Sequence, residues 1–217
     1  MIAQEGLAAM LALSPVVPVL TIDDAGHAVP LARALLAGGI GVVEVTLRTE
    51  AALGAIAAMV AEVPAMLVGA GTVLTADQYR AVEMAGAKFV VSPGSSAGVL
   101  DAAARSKIPF LPGAATPTEV LALLELGYRL QKFFPAEPAG GISMLKAIGA
   151  PIAEVRFCPT GGIGLGNAPD YLALANVMCV GGSWLTPAEA MRAGDWQRIA
   201  VLAAEAAELN LRRRPRN

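Results

Sequence analysis

The chain alternates β-branched apolar runs with helical segments about eight times, at spacings of roughly 20 to 26 residues. This repeat constrains the fold most, because strands joined by helical crossovers pair in parallel and are covered on both faces. A helix over residues 3–13 comes first, stopped by Ser14 and Pro15. Strands are expected over 16–22, 42–47, 65–73, 88–92, 109–111, the run around Lys132, 154–159 and 177–180. Helices are expected over 28–36, 50–61, from Thr75 to 85, from Thr116 or Thr118 to 126, and over 142–148. Two more run from Gly166 or Asn167 to 174 and from Thr186-Pro187 to about 211. With no long polar linker between units, the expectation is an α/β chain folded as one (β/α)8 TIM barrel with an N-terminal helix, a single domain over 1–217. An open doubly wound sheet is the alternative, but it calls for a glycine-rich turn after the first strand, where this chain has Asp23-Asp24.

Composition narrows the function. A chain 55% hydrophobic and 16% charged suits strands buried on both faces, with subunit interfaces accounting for part of the excess. The net charge of -2 argues against a nucleic-acid partner, which would need a broad basic face. Arg212, Arg213, Arg214 and Arg216 are the exception, and their short, proline-broken, terminal setting reads as a solvated end. Cys158 and Cys179 are too few for a disulfide scaffold and read as core residues of a reducing compartment. His27 is the only histidine, and no cysteine or carboxylate set falls at metal-ligand spacing, so catalysis is expected to run on side chains alone, without a metal. Glu5 stands where a signal peptide would be positive, and Pro15 breaks the apolar run 7–20, so no targeting or membrane segment is expected.

In a parallel barrel, chemistry belongs at the carboxyl ends of the strands. Lys132 lies late in its strand, and period-two alternation places Leu130, Lys132 and Phe134 on one face with Gln131 and Phe133 on the other. An ammonium among apolar neighbours is costly, and desolvation favours the neutral amine that a nucleophile requires. The alternative is a lysine whose stem crosses the apolar layer and whose head reaches water. On the second strand Glu44, Thr46 and Arg48 share the interior parity, presenting an acid and a base together; they could also simply neutralise each other. Thr72 follows Gly69-Ala70-Gly71, small residues that leave room for a ligand or for tight packing. Gly161-Gly162 and Gly181-Gly182-Ser183 close the last two strands, where bare backbone N–H groups can hold a phosphate, although turns also use glycine.

The segments Glu44-Val45-Thr46-Leu47-Arg48, Gly69-Ala70-Gly71-Thr72-Val73, Ser92-Pro93-Gly94, Pro112-Gly113, Lys132-Phe133-Phe134-Pro135-Ala136-Glu137 and Pro159-Thr160-Gly161-Gly162-Ile163 together resemble the 2-keto-3-deoxy-6-phosphogluconate / 4-hydroxy-2-oxoglutarate aldolase family. The resemblance runs from residue 16 to residue 184 in the family's order. It implies a class I aldolase with no cofactor, which cleaves its keto-acid sugar phosphate to pyruvate and glyceraldehyde 3-phosphate, as a cytoplasmic homotrimer of the Entner-Doudoroff pathway. Residue by residue, it implies that Lys132 is the Schiff-base lysine and Glu44 the general acid/base. Arg48 and Thr72 would bind the carboxylate, Pro93 and Phe134 would line the pyruvyl pocket, and Gly161, Gly162 and Ser183 would hold the phosphate. Thr160 matches the gluconate-specific branch, whereas Thr21 departs from the relatives that carry arginine there. A phosphate-binding barrel isomerase or epimerase would leave Lys132 unexplained, and a non-catalytic trimeric scaffold subunit would leave the joint presence of Glu44 and Lys132 unexplained.

Overall fold

In the computed structural model, which describes residues 2–209, the chain runs as alternating strands and helices. The basic cluster at Arg212, Arg213, Arg214 and Arg216, and the end of the last expected helix, lie outside the described residues. Helix α1 (Ile2–Leu11) is followed by β1 (Val16–Leu20), α2 (Ala28–Ala37), β2 (Val42–Thr46), α3 (Ala52–Glu62), β3 (Leu67–Gly71) and α4 (Ala76–Met84). Next come β4 (Val90–Val91), α5 (Ala97–Arg105), β5 (Phe110–Leu111), β6 (Gly113–Ala114), α6 (Pro117–Glu125) and β7 (Leu130–Phe133). The chain continues with α7 (Gly141–Gly149), β8 (Arg156–Pro159), α8 (Ala168–Leu172), β9 (Val180–Gly182), α9 (Ala188–Ala193) and α10 (Trp196–Ala207).

Every strand pair is parallel, and the sheet curls around an interior. The ladders form two sheets, ordered β5-β4-β3-β2-β1-β9 and β6-β7-β8, where a single run of eight strands was expected. The expected fifth strand, 109–111, corresponds to β5, but the chain pairs again as β6 beyond Pro112, which has no N–H to give to a ladder. The last strand also differs from the expected 177–180. The paired residues are Val180–Gly182, so glycines read as a turn lie against Val17 and Pro18 of β1, and Val177 meets Phe157 in an isolated bridge. A second isolated bridge joins Thr160 to Gly181. Helix α5, which was not expected, begins where the Ser96 hydroxyl accepts from the Val99 N–H. The expected helical tail is two helices: the chain turns left-handed at Gly194 and restarts on the Asp195 cap.

Side-chain parity builds two apolar layers. Val43 and Val45 point outward, clustering with helix residues such as Ile56 and Met59, while Val17, Val42, Phe89, Leu111 and Leu130 form the interior cluster. Leu7 and Leu11 of α1 belong to that interior cluster. Gln4 fixes α1 at the amino ends of the strands, donating to Phe110 O (2.9 Å) and accepting from Leu130 N (2.9 Å). The opposite, carboxyl end is left for chemistry. Gln131 faces outward as its parity requires and donates to the carbonyls of Val120 (3.1 Å) and Tyr128 (2.9 Å).

Candidate active site

Strands β2 and β7 each send one ionisable side chain into the interior, and the two meet. Lys132 Nζ lies 3.1 Å from Glu44 Oε1 and 3.5 Å from Oε2, with the residues only 4% and 3% exposed. Two charges so far from water persist only as a pair, and removing either partner leaves the other uncompensated. Glu44 bonds to Lys132, so the alternative in which it merely neutralises Arg48 does not hold, and the expected interior placement of Arg48 is corrected: Arg48 lies beyond the end of β2, is exposed, and makes no ion pair among the described residues. The strand ends before Arg48 can enter the interior.

Space for the carboxylate comes from the neighbouring strand. A Cβ at Gly71 would stand 2.1 Å from Glu44 Oε1, so only glycine lets this side chain reach across. The next residue, Thr72, has φ 58°, the one non-glycine residue with positive φ among those described. For a β-branched residue that conformation costs on the order of 1–3 kcal/mol, and it occurs where the surroundings enforce it. On the other side of the pair, Lys132 Nζ lies 5.3 Å from the centroid of the Phe134 ring, a cation–π contact.

Phe134 also walls a cleft of about 260 Å³ at the carboxyl ends of β1, β8 and β9. Arg48, Thr160, Gly161, Gly162 and Ser183 line the same cleft. Thr160 is 6% exposed, and its Oγ1 has no hydrogen-bond partner among the described residues. The N–H groups of Gly161, Gly162 and Ser183 are likewise without a protein acceptor among the described residues. Thr21 stands on the rim and shares a 3.4 Å hydroxyl contact with Thr46, so β1 brings a neutral group here.

Lys132 thus meets both Glu44 and Phe134, and Phe134, Arg48, Thr160, Gly161, Gly162 and Ser183 share one cleft. Thr72 and Pro93 follow β3 and β4 but are not among its walls. Sequence reasoning missed Val19 and Ile163, apolar walls with no polar signature, and the spatial task of Gly71. No group of three or more histidine, cysteine, aspartate or glutamate side chains that could hold a metal occurs among the described residues.

Comparison with known proteins decides the family. The family described as KDPG and KHG aldolase matches residues 7–202. The chain belongs to the KDPG and KHG aldolase family. It is 54% identical over 192 residues to the 2-dehydro-3-deoxy-phosphogluconate aldolase of Pseudoalteromonas atlantica, covering 88% of this chain and 89% of that one. It is 52% identical to the KHG/KDPG aldolase of Escherichia coli, over 92% of this chain and 93% of the relative. Among solved structures, the KDPG aldolase from Legionella pneumophila, with pyruvate captured as a covalent carbinolamine intermediate, superposes with a TM-score of 0.90 at 48% identity. That alignment spans 92% of this chain and 97% of the other.

Proposed function

We propose that this aldolase cleaves 2-keto-3-deoxy-6-phosphogluconate to pyruvate and glyceraldehyde 3-phosphate through a Schiff base on Lys132. The observation that carries the reading is the buried 3.1 Å contact between Lys132 Nζ and Glu44. Passing a proton from the ammonium to the carboxylate frees the amine and leaves Glu44 holding the proton that the next step consumes.

The neutral amine adds to the C2 ketone, giving a carbinolamine. Glu44 donates its proton to the departing hydroxyl, water leaves, and an iminium forms. The carboxylate, directly or through one water, then takes the C4 hydroxyl proton. The C3–C4 pair flows into the iminium as an enamine, and the aldehyde is released. Glu44 returns that proton to C3, and hydrolysis of the new iminium frees pyruvate and the amine. One carboxylate serves each transfer because the steps are sequential. Phe134 and Pro93 line the pyruvyl pocket, while Arg48 and Thr72 take the substrate carboxylate. Thr160 meets a hydroxyl along the chain of the substrate, and Gly161, Gly162 and Ser183 take the phosphate. Free backbone N–H groups at those three positions support the last assignment.

Cleavage of 4-hydroxy-2-ketoglutarate is a second activity of the same site, supported by the family description and by the name of the Escherichia coli relative. The wider setting we propose is a closed eight-stranded barrel, one domain over 1–217, acting as a cytoplasmic homotrimer in the Entner-Doudoroff pathway. Closure is supported by the two isolated bridges between β8 and the β9 segment, and by the single proline that separates β5 from β6. Assembly is supported by a structural relative at 25% identity and TM-score 0.76, a designed protein cage made by fusing symmetric oligomeric domains.

Borohydride reduction in the presence of pyruvate, followed by peptide mass mapping, tests the central claim. The pyruvyl mass should appear on the peptide containing Lys132. Labelling on another lysine, or none, overturns the mechanism.

A further inference from the structure

A carboxylate beside a phosphate site repels the ligand unless something turns it aside. Glu137, in the turn after β7, stands in such a place. Its N–H donates to Gly161 O (3.0 Å) and the preceding Ala136 N–H donates to Thr160 O (2.8 Å), which joins this turn to the Gly161-Gly162 turn. The Glu137 side chain lies over Gly162, where the backbone has φ +78° and an added Cβ would come within 2.7 Å of Glu137 Cβ and Cγ. The hydroxyl of Tyr171, a buried residue of α8, donates to Glu137 Oε1. Both groups crowd Gly141, where a Cβ would meet the tyrosine hydroxyl at 3.0 Å and the carboxylate at 3.3 Å. Burial, then the bond and charge of Glu137, raise the Tyr171 phenol above its ordinary range, so it remains a donor at neutral pH. No step of the cleavage uses either residue.

We infer that Glu137 and Tyr171 form a clasp that positions the Gly161-Gly162 turn and holds the carboxylate off the phosphate, which makes both of them positioning residues for phosphorylated substrates. The inference rests on the phosphate assignment above. Without the phenol, the Glu137 side chain is released beside the turn, and the loss should fall on substrates that carry a phosphate.

The test compares kcat/KM for phosphorylated and unphosphorylated 2-keto-3-deoxygluconate in wild type, Tyr171→Phe, Glu137→Gln and Glu137→Asp, with pyruvate trapping as a common control. Tyr171→Phe should shrink the ratio of the two constants by roughly tenfold, the equivalent of one hydrogen bond to a charged group, chiefly through KM of the phosphorylated substrate. Glu137→Gln, whose amide oxygen still accepts, should hold the wild-type ratio or exceed it. An unchanged ratio in a folded Tyr171→Phe protein, or an equal fall for both substrates, overturns the clasp. If that variant does not fold, Glu137→Asp at the exposed position decides, because it keeps the charge on a side chain one carbon too short to reach the phenol: its ratio must drop, and a wild-type ratio rejects the idea. A wild type that does not distinguish the two substrates is a separate failure, that of the phosphate assignment itself.

Discussion

The two ends of the site solve opposite problems. At the Lys132–Glu44 end both groups are ionisable, buried, and held by side chains from strands on opposite sides of the interior. At the Gly161, Gly162 and Ser183 end the groups on offer are backbone N–H, open to solvent and free of protein partners among the described residues. Bond making needs a proton donor and acceptor in low dielectric, where misplacement is costly. Holding a dianion needs many weak donors and exit to water. Substitutions at the first end should therefore strike kcat, and those at the second should change which substrates are preferred.

Lys132→Met should have the largest effect, abolishing both cleavage and borohydride trapping. The other lysines stand elsewhere: Lys88 precedes β4, Lys107 lies between α5 and β5, and Lys146 is in α7. Pyruvate still trapped by the variant would relocate the nucleophile and erase the contrast between the two ends. Glu44→Gln should retain slow iminium formation and lose about 10²–10⁴-fold in turnover, since the adduct needs only the amine while each proton transfer needs the carboxylate. Turnover near wild type would make Glu44 a charge partner and nothing more. Gly71→Ala approaches the same group from behind. The new methyl displaces the carboxylate from 2.1 Å away, and a shift near 1 Å should cost on the order of 10²-fold in kcat. Full activity in this variant would show that Glu44 does not need its observed position.

The two ends were also unequally legible in the sequence. Lys132 and Glu44 could be placed because strand parity is rigid: one step along β2 separates Glu44, facing inward, from Val45, facing the helices. Arg48 could not be placed that way, since parity extrapolated past Thr46 fails once the strand stops. The order of elements, apart from α5 and the break between α9 and α10, was legible for the same reason as the parity, each strand having its own apolar run and most helices a stop. The exact course of the later strands was not. Pairing resumes at Gly113 beyond Pro112, which reads as a stop, and Gly181-Gly182, which local rules assign to a turn, is held in a strand by pairing with β1. That pairing joins residues far apart in the chain, and no local window contains it. The clasp of Glu137 with Tyr171 is invisible in the same way, because neither residue bears a mark of the other.

At the end proposed to take the phosphate, effects should be smaller and selective. Ser183→Asp puts a carboxylate beside the free N–H groups and should lower kcat/KM for the phosphorylated substrate by roughly 10- to 100-fold. Pyruvate trapping at Lys132 should persist, because remote binding energy orients the substrate without touching the amine. A comparable loss of trapping would mean that the two ends are not separable.

Thr160 lies between the two ends and yields the smallest expected effect. Its hydroxyl is buried with no partner among the described residues, a condition that costs roughly 1–3 kcal/mol relative to a satisfied group. If a substrate hydroxyl is the missing partner, the folded protein carries that cost until substrate arrives. Thr160→Val keeps the shape and removes the unpaired oxygen, so it should stabilise the free enzyme by about 1 kcal/mol and leave trapping of pyruvate, which lacks the hydroxylated chain, as it was. Cleavage should fall several-fold in kcat/KM, the size of one neutral hydrogen bond at about 1 kcal/mol. Denaturant unfolding and steady-state cleavage on the same preparation separate the two effects. A variant that loses both stability and activity would show that the hydroxyl serves the fold, and Thr160 would then belong to the β8–β9 contact and not to the site.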